Sequence, residues 1–254
     1  MTSPGSRGED YPRRDLDAQV ESTFEEQSAI VRFTSNPVIL ASLGSAPFAG
    51  GIASLLSDNA RKRQEIRYRN FLIDFAKYVD ARWDDLQRHI DEDFVSSEEF
   101  VTVMAEGLEE AGRTADETKL RYLRDYIINS AMLDRPDIKW RDVFKSYLGQ
   151  LSGTHLVCLQ HVFDRQQQVS ETDRMGQVRS DDVPISINQF SSRNPGVDET
   201  LARLCFGDLA NTGLLVDWRS LGNRDGVFQE EYCITGSGLH FMWFMEGKWR
   251  MLRD

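Results

Sequence analysis

The sequence lacks the short motifs that mark most enzyme active sites and metal centres. Its four histidines lie outside any HExxH or other zinc-ligand spacing. It has no GxxxxGK phosphate loop and no GxSxG nucleophile elbow, and the acidic run Asp91–Asp93 has no glycine at the spacing of a calcium loop. These absences predict a protein without catalytic activity, metal or cofactor.

Cysteine is also scarce: Cys158, Cys205 and Cys233 are widely separated, and no two of them form a CxxC pair. An odd number of scattered cysteines disfavours a disulfide framework and indicates a reducing compartment. Each lies within an apolar pattern, so we expect buried core thiols rather than nucleophiles. The N-terminal residues have no apolar core behind a basic start, unlike a secretory signal. We therefore expect a cytoplasmic protein, with peripheral membrane association as the alternative.

No long region is rich in positive charge. The chain has 30 Lys and Arg against 41 Asp and Glu, a formal net charge of −11. Residues 1–30 carry three cations against seven anions, residues 31–144 carry 16 against 20, and residues 145–254 carry 11 against 14. Cations that neutralise phosphates supply most of the non-specific affinity for DNA, so this distribution disfavours such binding. Any contact with nucleic acid needs a local basic patch.

The sequence does contain a stretch of twenty uncharged residues, Pro37–Leu56, followed directly by a basic segment. The stretch is as long as a bilayer span, but a central proline and several glycines and serines dilute it. Ala46, Gly50 and Ser54 recur every four residues, which allows close backbone approach. We expect a buried Gly/Ala-rich hairpin, with a membrane element as the alternative. The basic residues form either a solvated helix face or a contact with a membrane or another anion: Arg61, Lys62, Arg63, Arg67 and Arg69.

From about residue 59 to residue 163, apolar residues recur at the three- and four-residue spacing of packed helices. The pattern predicts one long helix over 59–90, then helices over 96–112, 114–132, 140–151 and 154–163. Ser96–Glu99 and Thr114–Glu117 match the capping box at two of these helix starts. Residues 1–30 are polar and acidic, and we expect a disordered arm there.

The pattern changes after a polar segment at 166–184, which is interpreted as a loop. A short helix is predicted over 185–190 and a longer one over 197–212. Residues 214–218 and 232–234 are predicted to be two strands around a turn, and a last helix begins near 235. Four residues are expected on the apolar face of the longer helix: Leu201, Leu204, Cys205 and Leu209.

With Gly213-Leu214 after the longer helix and Tyr232–Gly238 in the returning strand, this order of elements resembles a winged-helix domain. The resemblance covers roughly residues 154–247 and implies a β-hairpin wing and a recognition helix that binds DNA or protein. It makes four arginines candidates for DNA binding: Arg193, Arg203, Arg219 and Arg224. Asp198 and Glu199 begin the recognition helix and repel phosphates, which favours a protein partner.

The helical middle of the chain carries a second likeness. Gly50-Gly51, the basic Arg61–Arg69, the segment 118–133 and Phe144–His155 follow the layout of bacterial abortive-infection proteins of the alpha type. The chain has Gly153 where that layout places a proline. This resemblance implies a role in phage defence and supplies no active site.

Together these patterns predict a mainly α protein with three parts. They are a disordered acidic arm at 1–30, a helical bundle at 31–153 and a winged-helix-like domain with a small β-hairpin at 154–254. The predicted function is that of a non-enzymatic binding or scaffold protein, as a bacterial regulator or phage-defence component. Its ligand is a protein, DNA or a second copy of the chain. The alternative is a membrane-associated effector that acts through residues 37–69.

Overall fold

The computed structural model describes residues 58–173, 184–218 and 230–249. In these ranges the chain is mostly helical and has one small three-stranded antiparallel sheet, which confirms the predicted mainly α class. The acidic arm, the uncharged stretch Pro37–Leu56 and the candidates Arg219 and Arg224 lie outside the described residues.

Six helices of the described part precede residue 152: α1 Asp58–Ala81, α2 Trp83–Leu86, α3 Glu92–Val95, α4 Glu98–Arg113, α5 Glu117–Ser130 and α6 Ile138–Gln150. The prediction of one continuous helix over 59–90 is wrong. The backbone leaves the helical region at Arg82, and Ile90 forms an isolated β-bridge with Met132. Asp91 then accepts a hydrogen bond from the Phe94 amide and caps α3. These contacts end the first helix although its apolar spacing continues.

The C-terminal elements are α7 Gly153–Asp173, β1 Ile185–Ser186, α8 Ile187–Arg193, α9 Glu199–Asn211, β2 Leu215–Asp217, β3 Glu231–Ile234 and α10 Gly236–Met245. The strand order is β1-β3-β2, with Ile185 opposite Tyr232 and Leu215 opposite Ile234. The helix predicted over 185–190 therefore begins two residues late, because its first two residues pair with β3.

The polar segment predicted to be a loop over 166–184 is helical as far as Asp173. Its glutamines are good helix formers, so the helix that begins at Gly153 continues ten residues beyond the buried Phe163. The polar side chains of this segment indicate exposure to solvent, and the prediction of a loop wrongly took exposure for irregular structure.

Two helix starts use other caps than the predicted capping boxes. Ser97 accepts a hydrogen bond from the Phe100 amide, and Asp116 accepts one from the Lys119 amide. The residues three positions after these caps are Phe100 and Lys119 rather than glutamate, so the reciprocal bond of a capping box cannot form there. The Asp116 carboxylate also lies against Gly153, where any Cβ would overlap it. A residue with a Cβ at position 153 would therefore require the Asp116 carboxylate to shift.

Buried side chains on both sides of residue 153 form one hydrophobic core. Its centre is an aromatic cluster around Phe144 on α6, whose ring centroid lies 5.1 Å from that of Phe244 and 5.7 Å from that of Phe241 on α10. The Asn129 side chain of α5 donates hydrogen bonds to the carbonyls of Phe244 at 2.7 Å and Met245 at 3.1 Å. The last helix is therefore built into the core of the preceding helices.

Candidate functional site

The helix α9 is held on the sheet side of the fold by one buried face. Its N-cap residue Asp198 accepts hydrogen bonds from the amides of Thr200 at 2.8 Å and Leu201 at 3.3 Å. These bonds engage the N-terminal amides that would otherwise be open to a phosphate. Four side chains at helical spacing are buried against the neighbouring elements: Ala202, Cys205, Phe206 and Leu209.

The opposite face of α9 presents leucine to solvent. Leu201 is 44% exposed and Leu204 is 62% exposed, so the prediction that both share the buried face with Cys205 is wrong. Their face also carries the exposed Asp208, since residues three and four positions apart lie together on a helix. Two further exposed carboxylates, those of Asp198 and Glu199, lie at its N-terminal end. The result is a small apolar surface bordered by negative charge, which we call the α9 surface.

The one cation of α9 is already bound to two carboxylates. The Arg203 guanidinium donates to Glu230 at 2.7 Å and to Glu199 at 3.1 Å. These bonds, that to Glu230 first, raise the pKa of Arg203 above its ordinary value. A phosphate that approached Arg203 would have to displace or overcome these carboxylates. Of the DNA-binding candidates within the described ranges, Arg193 is exposed in the last turn of α8 and Arg203 is paired in this way.

A surface of opposite charge lies on α1. Arg63 and Ile66 are exposed, Ile66 at 58%, and Arg67 is half-buried. Their spacing places them on one face of the helix. Arg69 is exposed beside them, whereas the side chains of Arg61 and Lys62 lie outside the description. We call the face formed by Arg63, Ile66 and Arg67 the α1 surface.

A cleft of about 830 Å³ lies between α1, α5, α7 and the end of α10. The Tyr122 hydroxyl donates to Gln160 at 2.5 Å on its wall, and Gln160 in turn donates to Asp164 at 2.7 Å and Glu246 at 3.3 Å. Lys248 pairs with Glu246 at 2.7 Å. Sequence reasoning missed this cleft because its walls come from segments far apart in the chain. Its charged groups largely neutralise one another, so it does not select a ligand of one charge.

No group of three or more His, Cys, Asp or Glu in residues 58–173, 184–218 and 230–249 has the arrangement of a metal site. No helix in the same ranges has both the length and the apolar character needed to cross a bilayer.

The described part of the chain thus presents a leucine surface bordered by carboxylates on α9 and a basic surface around Ile66 on α1. The signal for the α9 surface is present in the sequence, since Ala202, Cys205, Phe206 and Leu209 follow the buried spacing and exclude the other leucines from it. Comparison of the chain with protein-family models, with curated proteins and with solved structures finds no match.

Proposed function

We propose that this chain is a non-enzymatic scaffold protein that binds a protein partner through the α9 surface of a winged-helix-like C-terminal part. The order β1-α8-α9-β2-β3, with β3 between β1 and β2, supports that arrangement. In such a fold, α9 has the place of the recognition helix. The biological setting that we propose is a bacterial regulator or phage-defence component, for which the layout of the helical middle is the support.

One observation favours a protein over DNA: α9 exposes leucines and carboxylates where a DNA-binding helix exposes cations. Contact with a phosphate backbone would not stabilise the exposed side chains of Leu201 and Leu204. Contact with a protein would bury their apolar area, which is favourable. Arg203 is the cation closest to them in sequence, and it is bound to Glu199 and Glu230. The partner that suits this surface has apolar side chains flanked by positive charge.

The chain itself carries a surface of that chemistry, and we commit to a second copy as the partner. The α1 surface places Ile66 between Arg63 and Arg67, which complements the leucines and carboxylates of the α9 surface. Two α9 surfaces would repel each other, so the contact has to join unlike surfaces of two copies. A contact of this kind builds rings or chains of subunits rather than a closed pair.

The test uses two variants of the full-length protein, Ile66→Asp and Leu204→Asp, in sedimentation velocity over a wide concentration range. Wild type is expected to associate with rising concentration, and less so in high salt, which screens the charges. Each variant alone is expected to be monomeric, because every contact needs both surfaces intact. An equal mixture is expected to form dimers only, since one intact α9 surface can meet one intact α1 surface.

Leu133→Asp is the matched control, because Leu133 is also 58% exposed but belongs to neither surface. It should associate as wild type does. A wild-type chain that stays monomeric, or a mixture that stays monomeric, contradicts the proposal. Binding of duplex DNA at low salt that Arg203→Ala weakens would replace it with a DNA-binding function.

The second candidate is a membrane-associated effector that acts through residues 37–69. The observation that favours it is the exposure of Arg63 and Arg69 on α1, directly after the uncharged stretch in sequence. Flotation of the full-length protein with liposomes rich in anionic lipid tests it. Flotation that is lost in the Arg63→Glu, Arg69→Glu double variant supports this reading, and a wild-type chain that stays at the bottom of the gradient eliminates it.

A further inference from the structure

The cleft between α1, α5, α7 and the end of α10 has the size of a small-molecule site. Its volume is about 830 Å³, and pockets that bind cofactors and other small ligands enclose about 300–1,000 Å³. Taken together, the charges of its walls nearly cancel. Selection of a ligand therefore depends on which of these charged groups already have a partner.

The four carboxylates in the described lining of the cleft are already engaged. Asp125 accepts two hydrogen bonds, at 3.0 and 3.1 Å, from the guanidinium of the residue before it. Gln160 donates to Asp164 at 2.7 Å and to Glu246 at 3.3 Å. Asp134 also has a partner. A cationic group of a ligand would have to compete with an existing contact at each of these carboxylates.

Two arginines of the cleft differ in this respect. Neither Arg82 nor Arg121 has a carboxylate partner among residues 58–173, 184–218 and 230–249. Each lies against a tyrosine ring instead: the Arg82 Cζ atom is 4.4 Å from the centroid of Tyr78, and the Arg121 Cζ atom is 5.5 Å from that of Tyr122. Such a contact orients a guanidinium but leaves most of its five N–H donors to a ligand.

These two arginines lie toward the same end of the cleft, because the last turn of α1 meets the N-terminal half of α5. The evidence is the ring of Tyr78, which contacts the guanidinium of Arg124, with Cζ 3.7 Å from its centroid, as well as that of Arg82. Arg121 lies one helical turn before Arg124. Two guanidiniums without carboxylates suit a group with about two negative charges, which is the charge of a phosphomonoester near neutral pH.

The other end of the cleft is apolar. Its walls include the side chains of Leu86, Ile128 and Met132. Ile128 lies seven positions after Arg121 on the same face of α5, which is about 10 Å along the helix axis. A ligand that carries an anionic group at one end and an apolar ring at the other would fill both parts of the cleft.

We propose that this cleft binds a phosphomonoester linked to an apolar ring, the chemistry of a nucleoside monophosphate or a flavin mononucleotide. The phosphate accepts hydrogen bonds from Arg82 and Arg121, and the ring packs against Leu86, Ile128 and Met132. The proposal goes beyond the scaffold function and does not rest on it. The α1 surface lies about four helical turns before Arg82, and the residues of the α9 surface do not line the cleft.

The test is isothermal titration calorimetry of the full-length protein at low salt with adenosine monophosphate and with flavin mononucleotide. Adenosine, riboflavin and inorganic phosphate are the comparison ligands. At least one phosphomonoester should bind at least about tenfold more tightly than both its unphosphorylated form and inorganic phosphate, because only the complete ligand occupies both ends. Which of the two binds identifies the ring. The proposal is overturned if neither binds below about 1 mM, or if removal of the phosphate or of the ring leaves the affinity unchanged.

Three variants locate the site. Arg82→Gln and Arg121→Gln should each weaken binding of the phosphomonoester by at least about tenfold, because each removes charged hydrogen bonds to the phosphate. Both side chains are exposed, so the fold should be retained, which urea denaturation checks. Arg88→Gln is the matched control: it removes the same charge, but Arg88 is 70% exposed, pairs with Asp85 and does not line the cleft. It should bind as wild type does, and an equal loss in all three variants would contradict the proposed site. Self-association of the wild type is measured separately, so its failure would leave this result unaffected.

Discussion

The helices α9 and α10 lie on either side of β2 and β3 in the chain, yet they have opposite relations to solvent. α9 contains Glu199, Arg203 and Asp208, and exposes two leucines on its outer face. α10 contains no Asp, Glu, Lys or Arg, and it buries four of its large side chains, of which Phe241 and Phe244 pack against Phe144 of α6. The difference shows that α10 serves the core, whereas only one face of α9 does so and the other is exposed to solvent.

The largest expected effect is on the α10 side of this comparison. Phe241 is fully buried, with its ring centroid 5.7 Å from that of Phe144 and 5.8 Å from that of Tyr147. Phe241→Ala should lower the free energy of unfolding by about 3–5 kcal/mol, because it removes buried apolar area and leaves a cavity. Urea denaturation followed by circular dichroism measures this. A loss below about 1 kcal/mol would mean that α10 is not part of the core.

The next effect concerns the start of α10, where two glycines differ in their surroundings. A Cβ on Gly238 would overlap the Leu214 carbonyl oxygen, whereas a Cβ on Gly236 meets nothing within 4 Å. Gly238→Ala should therefore cost about 1–3 kcal/mol through overpacking. Gly236→Ala is the matched control and should be neutral or stabilising by up to about 1 kcal/mol. Equal stability of the two variants in urea denaturation would contradict this close approach of α10 to the Leu214 carbonyl.

The N-caps of the two helices give a smaller pair of effects. Thr235 accepts a hydrogen bond from the Gly238 amide at 3.0 Å, and Asp198 accepts from the Thr200 amide at 2.8 Å. Thr235→Ala and Asp198→Ala should each cost about 0.5–2 kcal/mol in thermal or urea unfolding. The Thr235 variant should lie at the upper end, because its hydroxyl also donates to the Gly213 carbonyl at 2.7 Å. Asp198→Asn keeps a capping oxygen and should be close to wild type in stability. If it lost as much stability as Asp198→Ala, the negative charge rather than the hydrogen bond would be the stabilising feature of this cap.

The smallest effect is expected on the outer face of α9. Leu204→Ser should change the free energy of unfolding by no more than about 0.5 kcal/mol, because the side chain is 62% exposed and supports no core contact that depends on it. The measurement is the same urea titration as for Phe241→Ala, performed at low protein concentration to avoid association. A loss of more than about 2 kcal/mol would show that Leu204 packs into the core.

The sequence was informative where structure is local. The helices that became α4, α5, α6 and α9 were predicted to within a few residues from their apolar spacing, and the last helix, predicted to begin near 235, begins at Gly236. The break at Arg82 was missed because the bridge between Ile90 and Met132 joins distant segments. The two-residue strand β1 was missed for the same reason, since its partner β3 comes more than forty residues later.

The site was less predictable than the fold. The exposed leucines of α9 were assigned to the wrong face because the prediction relied on their apolar character and not on their positions in the helical period. The contact between His155 and Asp208 joins residues 53 positions apart and leaves no local signal. Arg203 was a reasonable DNA-binding candidate by residue type, but its guanidinium is paired with Glu230, which lies 27 positions later in the chain.

The hydrogen bonds from Asn129 to the last turn of α10 join residues 115 and 116 positions apart. Helices α4 to α6 can form from near neighbours as the chain leaves the ribosome, but the rings around Phe144 have no cover until α10 has been made. Until then, the nascent chain exposes an aromatic, hydrophobic surface, and incompletely folded chains with such surfaces are prone to aggregate. A premature stop codon before α10 should therefore yield a chaperone substrate rather than a smaller folded protein.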